Sequence, residues 1–167
     1  GDGFLAHEYF HAVANHYGRI ATGAGKDLLD LIGYPLKNEG AVNKPASFGA
    51  GMREEVISGF HDLLTSIMRK PGHGEDPRDI SNYTNRSDML INAIKEDADK
   101  KPYWATPSEM FARGMEVWFH ETMAEQGLRN DYLVGHGATG HVFPDSEHIK
   151  NIQYFASNWL DSLATEV

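Results

Sequence analysis

The stretch Phe4-Leu5-Ala6-His7-Glu8-Tyr9-Phe10-His11-Ala12-Val13-Ala14 decides how the rest of the chain is read. Its apolar residues do not alternate, and the spacing predicts a helix from Gly3 to Tyr17. On that helix His7 and His11 share one face, a turn apart. Two imidazole nitrogens so placed can reach one ion at about 2.0–2.1 Å. Glu8 is turned about 100° from His7, close enough to meet a water on the ion without ligating it. A hydrolytic zinc site needs this division of labour. The ion acidifies a water and polarises a carbonyl, and the carboxylate takes the proton. The bland alternative is a pair of solvated or core histidines. Apolar neighbours on nearly every side predict a buried helix, and a buried His-Glu-His triplet needs a partner that a metal supplies.

Two histidines do not complete a catalytic zinc site, which ordinarily takes a third protein ligand. A third histidine six positions after His11 is missing, since Tyr17 stands there. The candidates lie on a helix predicted from Pro107 to Gln126 and stopped by Gly127. There Glu109, Arg113, Glu116 and His120 fall within about 40° of one another, a polar stripe between apolar flanks. Glu109 and Glu116 are both candidate ligands, and the glutamate that does not ligate can orient a histidine from behind. Glu109 also has two structural readings. It could close a capping box with Thr106, or join Arg113 and Glu116 in an ion-pair ladder.

Further helices are predicted over Met52–Arg69, Ser87–Asp99 and Ser146–Leu163. Gly33–Gly51 and Lys70–Tyr83 read as loops, and Leu133–Phe143 as a small hairpin or irregular loop. Strand-like alternation is scarce. The fold class is therefore mainly α, with little or no sheet, in a single domain over residues 1–167. Trp118, Phe119 and Trp159 are read as core, and His16, His61, His73 and His148 as surface or structural histidines. Candidates to stabilise an oxyanion are Tyr103, His120, Tyr132, His136 and His141. Tyr103 and Trp104 have a competing reading as a hydrophobic staple ahead of the Pro107 helix.

The chain has 167 residues, 15 basic and 24 acidic side chains and a formal charge of −9. That acidity argues against nucleic acid or an anionic membrane as the main partner. No apolar run reaches the roughly 18–20 residues of a membrane helix, so the expectation is a soluble protein. With no cysteine, a transition metal must be held by His, Asp or Glu.

Four segments together resemble the large polyvalent protein-associated domain of phages and mobile elements. They are His7–Tyr17, Met52-Arg53-Glu54-Glu55, Tyr103–Arg113 and Arg129-Asn130-Asp131-Tyr132-Leu133-Val134. The resemblance runs on through Phe143-Pro144 and the last helix. It implies a zincin-like helical core with predicted metallopeptidase character, carried within a much longer multi-domain protein. It further implies peptide or protein substrates, neighbouring domains as partners, and a place in the virion or the bacterial host cytoplasm. Glu109-Met110-Phe111-Ala112 also resembles the pattern of gluzincins, whose third ligand is the glutamate of that motif. The resemblance therefore implies Zn2+ held by His7, His11 and Glu109, with Glu8 as general base. Two departures stand out. Arg113 replaces a carboxylate common in gluzincins, and the sheet that usually precedes the metal helix has no counterpart here. The rival expectation is a structural or interaction module that keeps a zincin metal site without hydrolysis.

Overall fold

The computed structural model describes residues 5–22, 52–128 and 140–164. Five helices account for most of them: α1 (Leu5–Thr22), α2 (Glu54–Met68), α3 (Asp88–Glu96), α4 (Pro107–Glu125) and α5 (Ser146–Ala164). Between α2 and α3 two short strands, β1 (Arg69–Lys70) and β2 (Asn85–Arg86), pair antiparallel with Arg69 opposite Arg86. A 3-10 turn at Ile80–Asn82 lies in the loop that joins them. The fold is mainly α, as expected, and this strand pair is its sole sheet among the described residues. The predicted loop Gly33–Gly51 lies outside them, as does most of Leu133–Phe143.

The helices begin and end where side chains can satisfy backbone groups left over at helix termini. Ser87 caps α3 by accepting from the Leu90 N–H at 3.2 Å, while its own hydroxyl donates to the Ile67 carbonyl. Asp145 accepts from the backbone N–H groups of Glu147 and His148 at the start of α5. Helix α4 closes at Gly127, whose φ of +70° is cheap for glycine alone, and Leu128 N–H then returns to the Met123 carbonyl.

Helices α2, α4 and α5 enclose the core. Phe60, Phe111 and Trp159, one from each, form an aromatic triad with ring centroids 5.1–5.9 Å apart. Leu63, Ile67, Met110, Met115 and Ile152 fill the space around them without exposure. Gly114 lets α4 approach α2 closely, since a Cβ there would lie 2.9 Å from Ile67 Cδ1. Trp159 is core as expected, whereas Trp118 and Phe119 are only partly buried at its edge.

Helix α1 departs from expectation twice. It continues past Tyr17 to Thr22, because Gly18 falls in line with Ala6, Phe10 and Ala14 as a fourth buried position instead of breaking the helix. Nor is it buried all round: Leu5, Glu8, Tyr9 and Ala12 are exposed. Phe10 anchors the other face on α4, with its ring 6.3 Å from those of Phe111 and Trp118. The histidines thus sit at the α1–α4 seam. Helix α3 also stops before Asp99, because Asp97 leaves the helix to bind backbone further on.

His148 illustrates a structural histidine. Its Nε2 donates to the Ser66 carbonyl at 2.7 Å, tying α5 to α2. Burial pushes its pKa below the ordinary 6.5, outweighing that bond and the neighbouring Asp145. A folded pKa below the unfolded one means the neutral form favours folding. Its stabilisation is complete above about pH 6.5 and is lost as pH falls through the folded value. The melting temperature is therefore expected to decline from pH 7 to pH 5, and less so in His148→Gln, which keeps a donor but does not titrate. Equal declines in both proteins would refute the assignment.

Candidate metal centre

Helix α1 delivers His7 and His11, and the first turn of α4 delivers Glu109. Thr106 caps α4 by accepting from the Glu109 N–H at 3.4 Å, and Pro107 occupies the position where a missing N–H costs nothing. The reciprocal half of a capping box is not made, since the Thr106 N–H goes to the Tyr103 carbonyl. The Glu109 carboxylate turns to the histidines instead. Its Oε2 lies 3.3 Å from His7 Nε2 and its Oε1 lies 3.3 Å from His11 Nε2. The two Nε2 atoms are 3.1 Å apart.

These spacings fit an ion. A tetrahedron with corners about 2.0–2.1 Å from its centre has edges of about 3.3–3.4 Å. Glu109 Oε2 is buried and faces His7 Nε2 at 3.3 Å without a well-formed hydrogen bond. The donor set, two imidazoles and a carboxylate, suits zinc. It is also the one group of three or more potential metal-holding side chains found among the described residues.

Behind the histidines stand residues that engage their other ring nitrogens. Ser108 Oγ lies 2.9 Å from His11 Nδ1, and Glu116 Oε2 lies 3.5 Å from His7 Nδ1. Both Nδ1 atoms are thereby engaged, leaving both Nε2 atoms for a shared ligand. The sequence reading gave Glu116 such a role in the alternative but missed Ser108. Its position directly after the helix-initiating proline and before the candidate ligand was the available signal.

The electrostatics agree with the geometry. Contacts with Glu109 and then Glu116 raise the His7 pKa to about 9, against the opposing effect of burial. Burial alone would raise the Glu109 pKa, but His11 and His7 outweigh it and hold the carboxyl well below the usual carboxylate range. Without an ion, then, His7 carries a proton between two carboxylates.

The other site candidates separate clearly. Glu8 is exposed beside His7. The Tyr103 phenol is pushed up by burial and then by the charge of, and a hydrogen bond to, the Glu109 carboxylate. Tyr103 is not in staple position, since Ala105 directly precedes the cap. His120 pairs with Glu121 on the exposed side of α4, and His141 pairs with Glu96 at 2.7 Å. Neither joins the cluster. Tyr132 and His136 lie outside the described residues. Arg113 forms no ladder with the glutamates. It is 1% exposed, and its guanidinium donates to the Trp104 and Val142 carbonyls beneath the site.

The outer residues can be tested separately from the ligands. Ser108→Ala and Glu116→Gln are each expected to weaken zinc binding by about tenfold, the lower end for outer-shell partners. Glu109→Gln should weaken it much more. Competition against a chromophoric chelator measures all three. If Glu116→Gln strips the ion while Glu109→Gln does not, the ranking of the two glutamates is reversed.

Residues 95–167 match the family model of large polyvalent protein-associated domain 1. The match includes Glu109, Glu116 and the whole of α4 and α5, and stops short of His7 and His11, so it is narrower than the resemblance read from sequence. No curated protein and no solved structure matches the chain. No helix among the described residues is long and apolar enough to cross a membrane.

Proposed function

We propose that this chain is a zinc-dependent metallopeptidase domain, with zinc held by His7, His11 and Glu109 and with Glu8 as general base. The observation that carries the reading is the convergence of side chains from two helices: the two Nε2 atoms lie 3.1 Å apart, and each lies 3.3 Å from a different oxygen of the Glu109 carboxylate. Zinc bound there would supply a Lewis acid for a peptide carbonyl and lower the pKa of a water to about 7. Every other contribution comes from the chain. Glu116 accepts from His7 Nδ1–H and so favours the ligating tautomer there, while Ser108 engages His11 Nδ1. Glu8, turned away from the ligands and exposed, takes the proton from the attacking water and passes it to the departing amine. A centre of purely structural use would have all its polar groups enclosed. Here the His11 side chain keeps 25% exposure and Glu8 beside the centre is exposed, so the centre is not enclosed.

Glu8→Gln separates chemistry from scaffold. The variant is expected to keep the fold and the zinc, and to lose hydrolysis by about 10²–10⁴-fold, the usual contribution of a general base. Zinc-loaded wild type and variant would be compared on casein and on a quenched-fluorescent peptide library. Equal rates would refute the role of Glu8. A wild type that holds zinc and cleaves neither substrate set, nor its own longer polypeptide, would leave a non-catalytic metal-holding module as the better account.

A further inference from the structure

A cavity of about 1300 Å³ lies between the β1–β2 hairpin, the first two turns of α3 and α5, and the last turns of α4. His7, His11 and Glu109 take no part in its lining. Its walls are held by side chains. Asn92 Nδ2 donates to the His141 carbonyl at 2.8 Å, and the His141 ring meets Glu96 at 2.7 Å, which ties the segment before α5 to α3. Gln153 Nε2 donates to Glu125 Oε1 at 3.2 Å and joins α5 to α4. Glu75 Oε2 closes the hairpin loop by accepting from the Gly72 N–H at 2.9 Å. The cavity is therefore a formed feature of the fold. It exceeds the roughly 300–1,000 Å³ of an ordinary small-molecule site, so a segment of polypeptide fills it better than a metabolite.

Floor and rim differ in chemistry. The buried Met89, Val117 and Ile149 make an apolar floor. Around them stand six carboxylates, of Glu75, Asp88, Glu121, Glu125, Asp145 and Glu147, against two lysines. Lys70 is held by Asp88 at 3.0 Å, which leaves five carboxylates to Lys150 alone. Among the histidines of the wall, His141 already faces Glu96 and burial keeps His148 neutral. Such a field repels anions. Nucleic acid does not suit it, and neither does a second copy of this chain, whose formal charge is −9. Cations interleaved with apolar side chains match both the rim and the floor.

We propose that this cavity docks a basic, partly apolar peptide segment of a partner protein, with its lysines or arginines on the carboxylate rim and its apolar side chains over Met89, Val117 and Ile149. The docking needs no metal ion.

The test uses the full chain and three fluorescein-labelled peptides of equal length, followed by anisotropy at physiological ionic strength. One alternates lysine with leucine, one lysine with serine, and one glutamate with leucine. The lysine–leucine peptide is expected to bind at least about tenfold more tightly than either of the others. Reversing two exposed rim charges together, Glu125→Lys with Glu147→Lys, should weaken it by about tenfold. The control pair Glu54→Lys with Glu55→Lys changes the net charge equally. It sits at the far end of α2, about 20 Å from Lys70 at 1.5 Å per residue, well beyond the Debye length of about 8 Å. The control should therefore change affinity by less than about threefold. Melting curves first establish that both variants are folded; if the reversed pair is not, Glu125→Gln with Glu147→Gln replaces it and should weaken binding in the same direction. Amide chemical shifts of Met89, Val117 and Ile149 should move as the peptide is added. Equal losses in the rim and control variants would overturn the proposal, since attraction to net charge would then account for the binding. So would equal affinity for the lysine–serine peptide, no binding of the lysine–leucine peptide, or shifts confined to other surfaces. Each outcome is read alike with and without added zinc, so it bears on the cavity and not on the metal centre.

Discussion

Alanine at either His7 or His11 is expected to take the protein from about one bound zinc per chain to none at micromolar metal, because two remaining ligands do not hold the ion. The effect is large because the site is built at a seam. Helix α1 brings both imidazoles and α4 brings the carboxylate; the two Nε2 atoms already stand 3.1 Å apart, each 3.3 Å from a different carboxylate oxygen. His7 holds a proton in the ion-free state, so uptake of zinc at neutral pH should also release protons. Elemental analysis after gel filtration gives the zinc content, and pH measured in weak buffer gives the proton. Undiminished zinc in either variant would remove both histidines from the centre. Folding of the variants is readily checked, since neither histidine belongs to the Phe60–Phe111–Trp159 core.

The largest loss of stability is expected at Arg113. Its guanidinium donates to three main-chain carbonyls, of Glu109, Trp104 and Val142, and lies near the rings of Trp104 and Phe143. Burial lowers its pKa to about 10, against the raising effect of Glu109 and other neighbours, so it remains charged at neutral pH. Arg113→Met preserves length and takes the guanidinium donor from the Trp104 and Val142 carbonyls. Each orphaned acceptor costs about 1–3 kcal/mol, and the lost ring contacts about 0.5–2 kcal/mol. A total near 3 kcal/mol corresponds to about 6–12 °C in melting temperature for a chain of this size. Differential scanning calorimetry measures it. A change below about 2 °C, within the ±0.5 kcal/mol of an ordinary surface substitution, would refute the clamp. The clamp fastens the turn that precedes α4.

What the sequence disclosed, and what it concealed, follows from which interactions are local. His7, Glu8 and His11 were legible because their relation is set by one helical repeat. The ends of α4 were legible for the same reason, with Thr106-Pro107 at its start and Gly127 at its close. Glu109 and Glu116 could not be separated by helical geometry, since both lie on one stripe. Their difference is a matter of how α1 lies across α4, which carries Glu109 to the two Nε2 atoms and leaves Glu116 at the far nitrogen of His7. His120 shares that stripe and misses the site, because it lies a full turn beyond the reach of His7. The burial of α1 was overread: Leu5, Tyr9 and Ala12 continue its apolar pattern yet face outward. Asp97 was invisible as a clamp, because its three partners are backbone N–H groups that come together only once the turn has formed. The β1–β2 pair is short enough that no alternating pattern could announce it.

Whether a zinc ion sits between His7, His11 and Glu109 decides most of this account, and X-ray absorption at the zinc edge, on protein loaded with one equivalent, asks the question most directly. A first shell of two imidazole nitrogens with oxygen neighbours is expected, all at about 2.0–2.1 Å, with one imidazole contribution lost in His11→Ala at forced loading. A shell without imidazole scattering, or one unchanged by that substitution, would contradict it.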